Sequence, residues 1–66
     1  MKIINHLNEF RTKHNLTLRE LATLSGLSRN YLDRIENGMQ YPRINEVYRL
    51  VEILETTVEN LFERIE

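Results

Sequence analysis

Apolar residues recur along this chain at intervals of three and four, and they alternate nowhere for more than a few positions. That period predicts helices throughout. Ile3, Ile4, Leu7 and Phe10 share one face of a first helix running from about Lys2 to His14. Asn15, which tolerates the left-handed backbone of a helix stop, follows it. Thr17 opens a second helix three residues before Glu20, the spacing at which the two side chains cap each other's backbone N–H groups. This helix uses Leu21, Ala22 and Leu24 and stops at Gly26. Ser28 caps a third helix, Arg29 to Asn37, whose apolar arc is Tyr31, Leu32 and Ile35; Gly38 ends it.

The stretch "MQYPR" reads as a loop, because Pro42 pushes Tyr41 away from helical angles. A fourth helix from about Ile44 to Leu54 turns Ile44, Val47, Tyr48, Leu50, Val51 and Leu54 to one side. A fifth follows Thr57 with a stripe of Val58, Leu61, Phe62 and Ile65. The expected fold class is all-α, a compact five-helix bundle forming one domain over residues 1–66.

Length and composition restrict how such a bundle is held together. Sixty-six residues support one small core. With no cysteine, neither a disulfide nor a thiolate metal site is available, so stability rests on packed helices or on a second copy of the chain. No apolar run approaches the ~20 residues of a membrane span, and a soluble, cytoplasmic protein without a secretion signal is expected. The net charge of −1 argues at first against an anionic partner. It conceals a gradient: residues 1–43 carry seven Lys/Arg against four Asp/Glu, and residues 44–66 carry two against six. The gradient matters if the basic part is contiguous in space.

Catalysis finds little to work with. His6 and His14 are eight residues apart on the first predicted helix, about 12 Å along its axis, too far to share one zinc. Glu52, Glu55, Glu59 and Glu63 have the spacing of a solvated helix face, and both glycines are used as helix stops rather than in a phosphate loop. No enzyme activity, metal or cofactor is expected, and no small-molecule ligand is evident.

The third helix differs. Opposite its apolar arc stand Arg29, Asn30, Asp33, Arg34 and Asn37, all hydrogen-bonding residues. A polar helix face is by itself an ordinary solvated surface. Here it follows Ala22, Gly26 and Leu27 and is seated by Leu32 and Ile35, the pattern of a helix-turn-helix: a small residue at the close approach, a glycine in the turn, apolar residues beneath the second helix. Arginine pairs bidentately with guanine, and asparagine with adenine, in the major groove.

The run "LTLRELATLSGLSRNYLDRIENGMQYPRINEVYRLVEILETTVENLF" resembles the Cro/repressor-type, or XRE, helix-turn-helix family of phage repressors and small bacterial regulators, over about residues 4–62. "LA", the turn glycine, the serine after it, and "IENG" before the proline occur in the family's order. The resemblance implies a lambda-repressor-like bundle that binds double-stranded operator DNA as a homodimer. It implies that Ser28, Arg29 and Asn30 begin the recognition helix, that Arg34 reads a base, that Asn37 meets a phosphate, and that Arg43 reaches a phosphate or the minor groove. Asp33 either discriminates a cytosine amino group or braces Arg29 or Arg34.

Some positions depart from the family. Leu18 stands where members often have a phosphate-binding Gln, which leaves that contact to backbone N–H groups, Thr17 or Arg19. Glu55 replaces a frequent Gly after the fourth helix, and Arg43 replaces its usual Ser or Thr cap. Both imply helix ends weaker by about 1 kcal/mol. The alternative function is a helical protein-interaction module that kept the fold without DNA binding.

Two structural expectations complete the reading. Arg11 falls inside the apolar arc of the first helix and needs an anion there; Glu36, at the border of the third helix's apolar arc, is the candidate, and the resemblance places a charged pair at these positions. Ile53 lies off the fourth helix's apolar stripe, on its expected wet side. With Val58 and Ile65, and Phe62 at the margin, it is the expected homodimer interface.

Overall fold

The computed structural model describes residues 2–65. In chain order they form β1 (Lys2–Asn5), α1 (Leu7–Lys13), α2 (Leu18–Ser25), α3 (Arg29–Glu36), α4 (Ile44–Ile53), α5 (Val58–Leu61) and β2 (Phe62–Ile65). Five helices are present where the period places them. The expectation of an all-α chain is corrected at both ends by a small two-stranded sheet.

The sheet replaces the first turn of the predicted first helix and the last turn of the predicted fifth. β1 and β2 pair antiparallel, with Lys2 opposite Ile65, Ile3 opposite Arg64, Ile4 opposite Glu63 and Asn5 opposite Phe62. Adjacent β-branched Ile3 and Ile4 suit a strand at least as well as a helix. What decides is a partner some sixty residues away, which no local pattern reveals. The ladder continues through the His6 N–H, which donates to the Leu61 carbonyl at 2.9 Å. Helix α1 then starts at Leu7, whose N–H is taken by Asn5 Oδ1 at 2.8 Å, while the Asn5 amide donates to the Ile35 carbonyl of α3.

Local signals set the other helix ends. Thr17 and Glu20 form the reciprocal capping box, at 3.0 Å and 2.8 Å. The hydroxyls of Ser28 and Thr57 cap α3 and α5 by accepting from Tyr31 N and Asn60 N. Gly26 and Gly38 adopt φ of 75° and 73°, the left-handed conformation that a Cβ disfavours. Asn15 and Glu55 are also left-handed, at 58° and 53°. Arg43, having no acceptor atom, leaves α4 half capped: Glu46 accepts the Arg43 N–H at 2.8 Å, with no side-chain bond in return.

Leu7, Leu21, Leu32, Ile35, Leu50, Leu54 and Leu61 are fully buried, so every helix contributes to one core. The inward set predicted for the helices needs correction at several positions: Ile3 and Ile4, now in β1, are exposed. Leu24 of α2 is exposed, and Ile44 and Tyr48 of α4 are 64% and 62% exposed. Ile53, expected on the wet side, is half-buried and packs against the core. Among the described residues no helix is long and apolar enough to cross a membrane.

Arg11 and Glu36 are joined across α1 and α3 at 2.7 Å, with side chains 13% and 8% exposed. The Arg11 guanidinium also donates to the Leu16 carbonyl at 2.7 Å, and Asn8 donates to the second Glu36 oxygen at 3.2 Å. A buried pair so fully bonded makes removal of either partner costly, because the other charge is left without compensation. Arg11→Met alone is expected to lower unfolding free energy by about 3–5 kcal/mol in a urea titration.

His6 ties the sheet to α1. Its Nδ1 contacts the Glu9 carboxylate, and its Nε2 lies 3.0 Å from Glu63 Oε1 on β2. The hydrogen bond with Glu9, then that with Glu63, raises its pKa above the ordinary 6.5. The contact's stabilisation is therefore complete below about pH 6.5 and is lost as pH rises through the folded value. An NMR titration of His6 should report a pKa above 6.5, and Glu9→Gln with Glu63→Gln should lower it.

Candidate nucleic-acid interface

α3 is an eight-residue helix whose buried side consists of Leu32 and Ile35. A helix this short has little stability of its own, so its position is set by its attachments. The turn before it is one of them. Gly26 takes φ 75°, and its N–H donates to the Ala22 carbonyl at 2.9 Å. A Cβ there would sit 3.6 Å from Arg49 Nη1, an ordinary contact, so the backbone angle rather than crowding requires glycine. Ser25 is buried, and its hydroxyl accepts the Leu27 N–H at 3.2 Å. From α4, Arg49 donates to the Ser25 carbonyl at 2.7 Å and so caps the end of α2.

A second attachment joins α3 to the start of α4. Glu46 Oε1 accepts from the Tyr31 hydroxyl at 2.6 Å and from the Arg43 N–H at 2.8 Å. The phenol donor first, and the Arg43 N–H after it, hold the Glu46 carboxyl below its usual 4.5. The same bond raises the Tyr31 phenol above 10.0. One carboxylate oxygen thereby ties α3 to the Arg43 backbone at the start of α4. Sequence reasoning missed Glu46, Arg49 and Gln40. In the sequence Tyr31 reads as apolar, and no local signal marks its hydroxyl's partner fifteen residues on.

The residues predicted to face DNA are all exposed: Thr17, Arg19, Ser28, Arg29, Asn30, Asp33, Arg34, Asn37 and Arg43. Arg29, Asn30, Asp33 and Arg34 project from α3, with Asn37 at its C-cap, where the amide donates to the Asp33 carbonyl at 2.9 Å. Arg34 Nε donates to Gln40 Oε1 at 3.0 Å, and its guanidinium lies 6.0 Å from the centre of the Tyr31 ring. Asp33 braces neither arginine: among the described residues the ion pairs do not include it. Ser28 and Thr17 each spend their hydroxyl on a cap.

Two grooves flank α3. One, about 720 Å³, lies at the N-terminus of α2 and is bordered by Thr17, Leu18, Arg19 and Arg29. The other, about 380 Å³, is bordered by Ser28, Arg34, Gln40 and Arg43. The first brings two guanidinium groups to a helix start, which suits a phosphate. Leu18 itself is half-buried against the core, a packing role that Gln would not fill. Among the described residues no three His, Asp or Glu side chains converge as a metal site would need.

Of the expected dimer residues, Ile53 and Phe62 pack against the core, and Val58 and Ile65 are half-buried.

Comparison with known proteins agrees with this geometry. A helix-turn-helix family model matches residues 7–61. An HTH-type transcriptional regulator of Methanocaldococcus jannaschii is 31% identical over 58 residues, covering 88% of each chain. One of Archaeoglobus fulgidus is 30% identical over 56 residues, 85% of this chain and 79% of that one. Among solved structures, the restriction-modification controller protein C.AhdI from Aeromonas hydrophila superimposes with a TM-score of 0.79 at 33% identity over 86% of both chains. SinR, a master regulator for biofilm formation solved in complex with DNA, gives 0.79 at 28% identity, over 85% of this chain and 90% of that one.

Tyr31→Phe should cost about 1 kcal/mol at neutral pH. The Glu46 bond contributes above the ordinary carboxylate value of 4.5 and is lost as pH falls through the lowered folded value. Urea titrations from neutral to acid pH should therefore show the difference between wild type and Tyr31→Phe shrinking below pH 4.5.

Proposed function

The chain belongs to the XRE-type helix-turn-helix family of DNA-binding transcriptional regulators, and from that premise we propose that it binds a near-palindromic operator as a homodimer, acting as a repressor or autoregulator. α3 enters the major groove with Arg29, Asn30 and Arg34 toward base edges. Arg19, the N-terminus of α2, Asn37 and Arg43 take phosphates on either side, and Asp33 disfavours sequences that bring a base acceptor to it.

The observation that carries this reading is the position of the two arginine-bordered grooves on opposite flanks of one exposed polar helix. A single polar face needs no ligand. A polar face with cations on both sides fits a duplex groove, whose walls are phosphates. A repressor needs no more than this, since a protein seated on an operator excludes other proteins from it.

Selection of bound DNA from a random library should yield an inverted repeat with half-sites about 34 Å apart. In fluorescence titrations affinity should fall steeply with salt, and Arg34→Ala should relax preference at one base pair per half-site by about 1–3 kcal/mol. Equal binding to every sequence, or none to any, would return the chain to the protein-interaction reading.

A further inference from the structure

Of the arginines that border the two grooves beside α3, Arg34 is set apart among the described residues by a side-chain acceptor on its Nε, the Gln40 Oε1 at 3.0 Å. The Tyr31 ring centre, 6.0 Å away, is at the outer reach of a cation–π contact. Backbone geometry puts Gln40 there. Gly38 takes φ 73°, its N–H donates to the Ile35 carbonyl at 3.0 Å, and the Met39 N–H donates to the Arg34 carbonyl at 2.9 Å. This double closure folds the chain back over the last turn of α3, and the next residue, half-buried Gln40, comes to lie beside Arg34. Tyr31 is fixed in its turn, because its hydroxyl donates to Glu46 at 2.6 Å.

A guanidinium carries five N–H donors in a fixed fork. With Nε engaged by Gln40, the end-on edge, one N–H each from Nη1 and Nη2, has no partner among the described residues. Two parallel donors of that spacing match O6 and N7 of guanine in the major groove. We propose that Gln40 is a positioning residue for Arg34, holding the guanidinium so that its end-on edge reads guanine and committing the operator to G·C at that base pair. The proposal rests on the DNA-binding reading above and adds to it the identity of one base and the residue that enforces it.

The gain comes from order already present before DNA arrives. A long, free arginine gives up its rotamer freedom when it pairs with a base, and a braced one has less to give up. Opposite a base that offers no acceptor pair, Arg34 makes no bond and has nothing to order. The brace therefore strengthens binding to guanine selectively, by about 2- to 10-fold for one immobilised side chain. A neutral amide suits the task. It accepts from Nε without placing a negative charge in a groove that Arg43 also borders and that faces phosphates in the proposed complex.

Fluorescence titration of the full chain against its selected operator, and against the same duplex with the Arg34-dependent G·C pair changed to A·T, measures the preference as a ratio of affinities. Gln40→Met, similar in length and lacking the amide acceptor, should lower the ratio about 2- to 10-fold with the thermal midpoint near wild type. Gln40→Glu keeps an acceptor, so it should weaken binding to both duplexes by phosphate repulsion and preserve their ratio. In an Arg34→Ala background Gln40→Met should leave the ratio unchanged. An operator without G·C at the position that Arg34→Ala relaxes, a Gln40→Met ratio equal to wild type, or a Gln40→Glu ratio that falls with it overturns the proposal. Equal weakening of both duplexes by Gln40→Met, persisting in the Arg34→Ala background, would instead make Gln40 a DNA contact of its own and overturns it too. NMR of the free protein separates the brace from the function. The Arg34 Nε–H should exchange with water more slowly than that of Arg29, and Gln40→Met should erase the difference. Slow exchange in a chain that binds no DNA removes the function and Gln40's role with it; selective DNA binding with fast exchange keeps the function and removes the brace.

Discussion

Burial of Leu32 and Ile35 is the constraint on which the rest of the molecule depends. α3 has these two side chains in the core and must leave its remaining surface polar. Two apolar anchors fix the depth of an eight-residue helix but not its rotation or tilt. Those are set by polar contacts arranged around it. Ser28 caps its start, Asn5 reaches the Ile35 carbonyl, Glu36 is held by Arg11, and Tyr31 is held by Glu46. Each comes from a different element, so the orientation of the outward face is a property of the whole fold.

The parts legible in the sequence were those written in short range. Thr17 with Glu20, Ser28, Thr57, Gly26 and Gly38 all act within about four residues, and the helix ends they predict are present. Arg11 was legible because a charge inside an apolar arc demands a partner. The sheet was not, since Ile3, Ile4, Phe62 and Ile65 fit a helical stripe as well as a strand, and the choice between them is made by contact between the two ends of the chain. Exposure of Ile44 and Tyr48 was hidden for another reason. A helical wheel gives the angle between residues, but which part of a broad apolar arc meets the core depends on the packing of neighbouring helices. Of the candidate interface, the exposed polar row on α3 could be read, whereas Gln40, Glu46 and Arg49, which orient it, act through tertiary contacts.

A net-negative chain can serve an anionic partner when its acids are already engaged. Glu46 answers to Tyr31, Glu36 to Arg11, Glu55 to His14 at 3.2 Å, and Glu9 and Glu63 to His6. Arg19, Arg29 and Arg43, by contrast, have no carboxylate partner among the described residues. Around α3, Arg19, Arg29, Arg34 and Arg43 border the two flanking grooves and outnumber the nearby acids Asp33 and Glu46, so the local charge there is more positive than the chain's net −1.

Lys2 facing Ile65 makes the backbone almost a ring. Closing a loop of that length carries the largest entropic penalty of any contact in the fold, while α2 meets α3 across a turn of three residues. During folding the helix-turn-helix can assemble before the ends find each other, and the ladder is the last part to zip and the first to fray. A short covalent bridge between β1 and β2 would remove that penalty without touching the exposed face of α3.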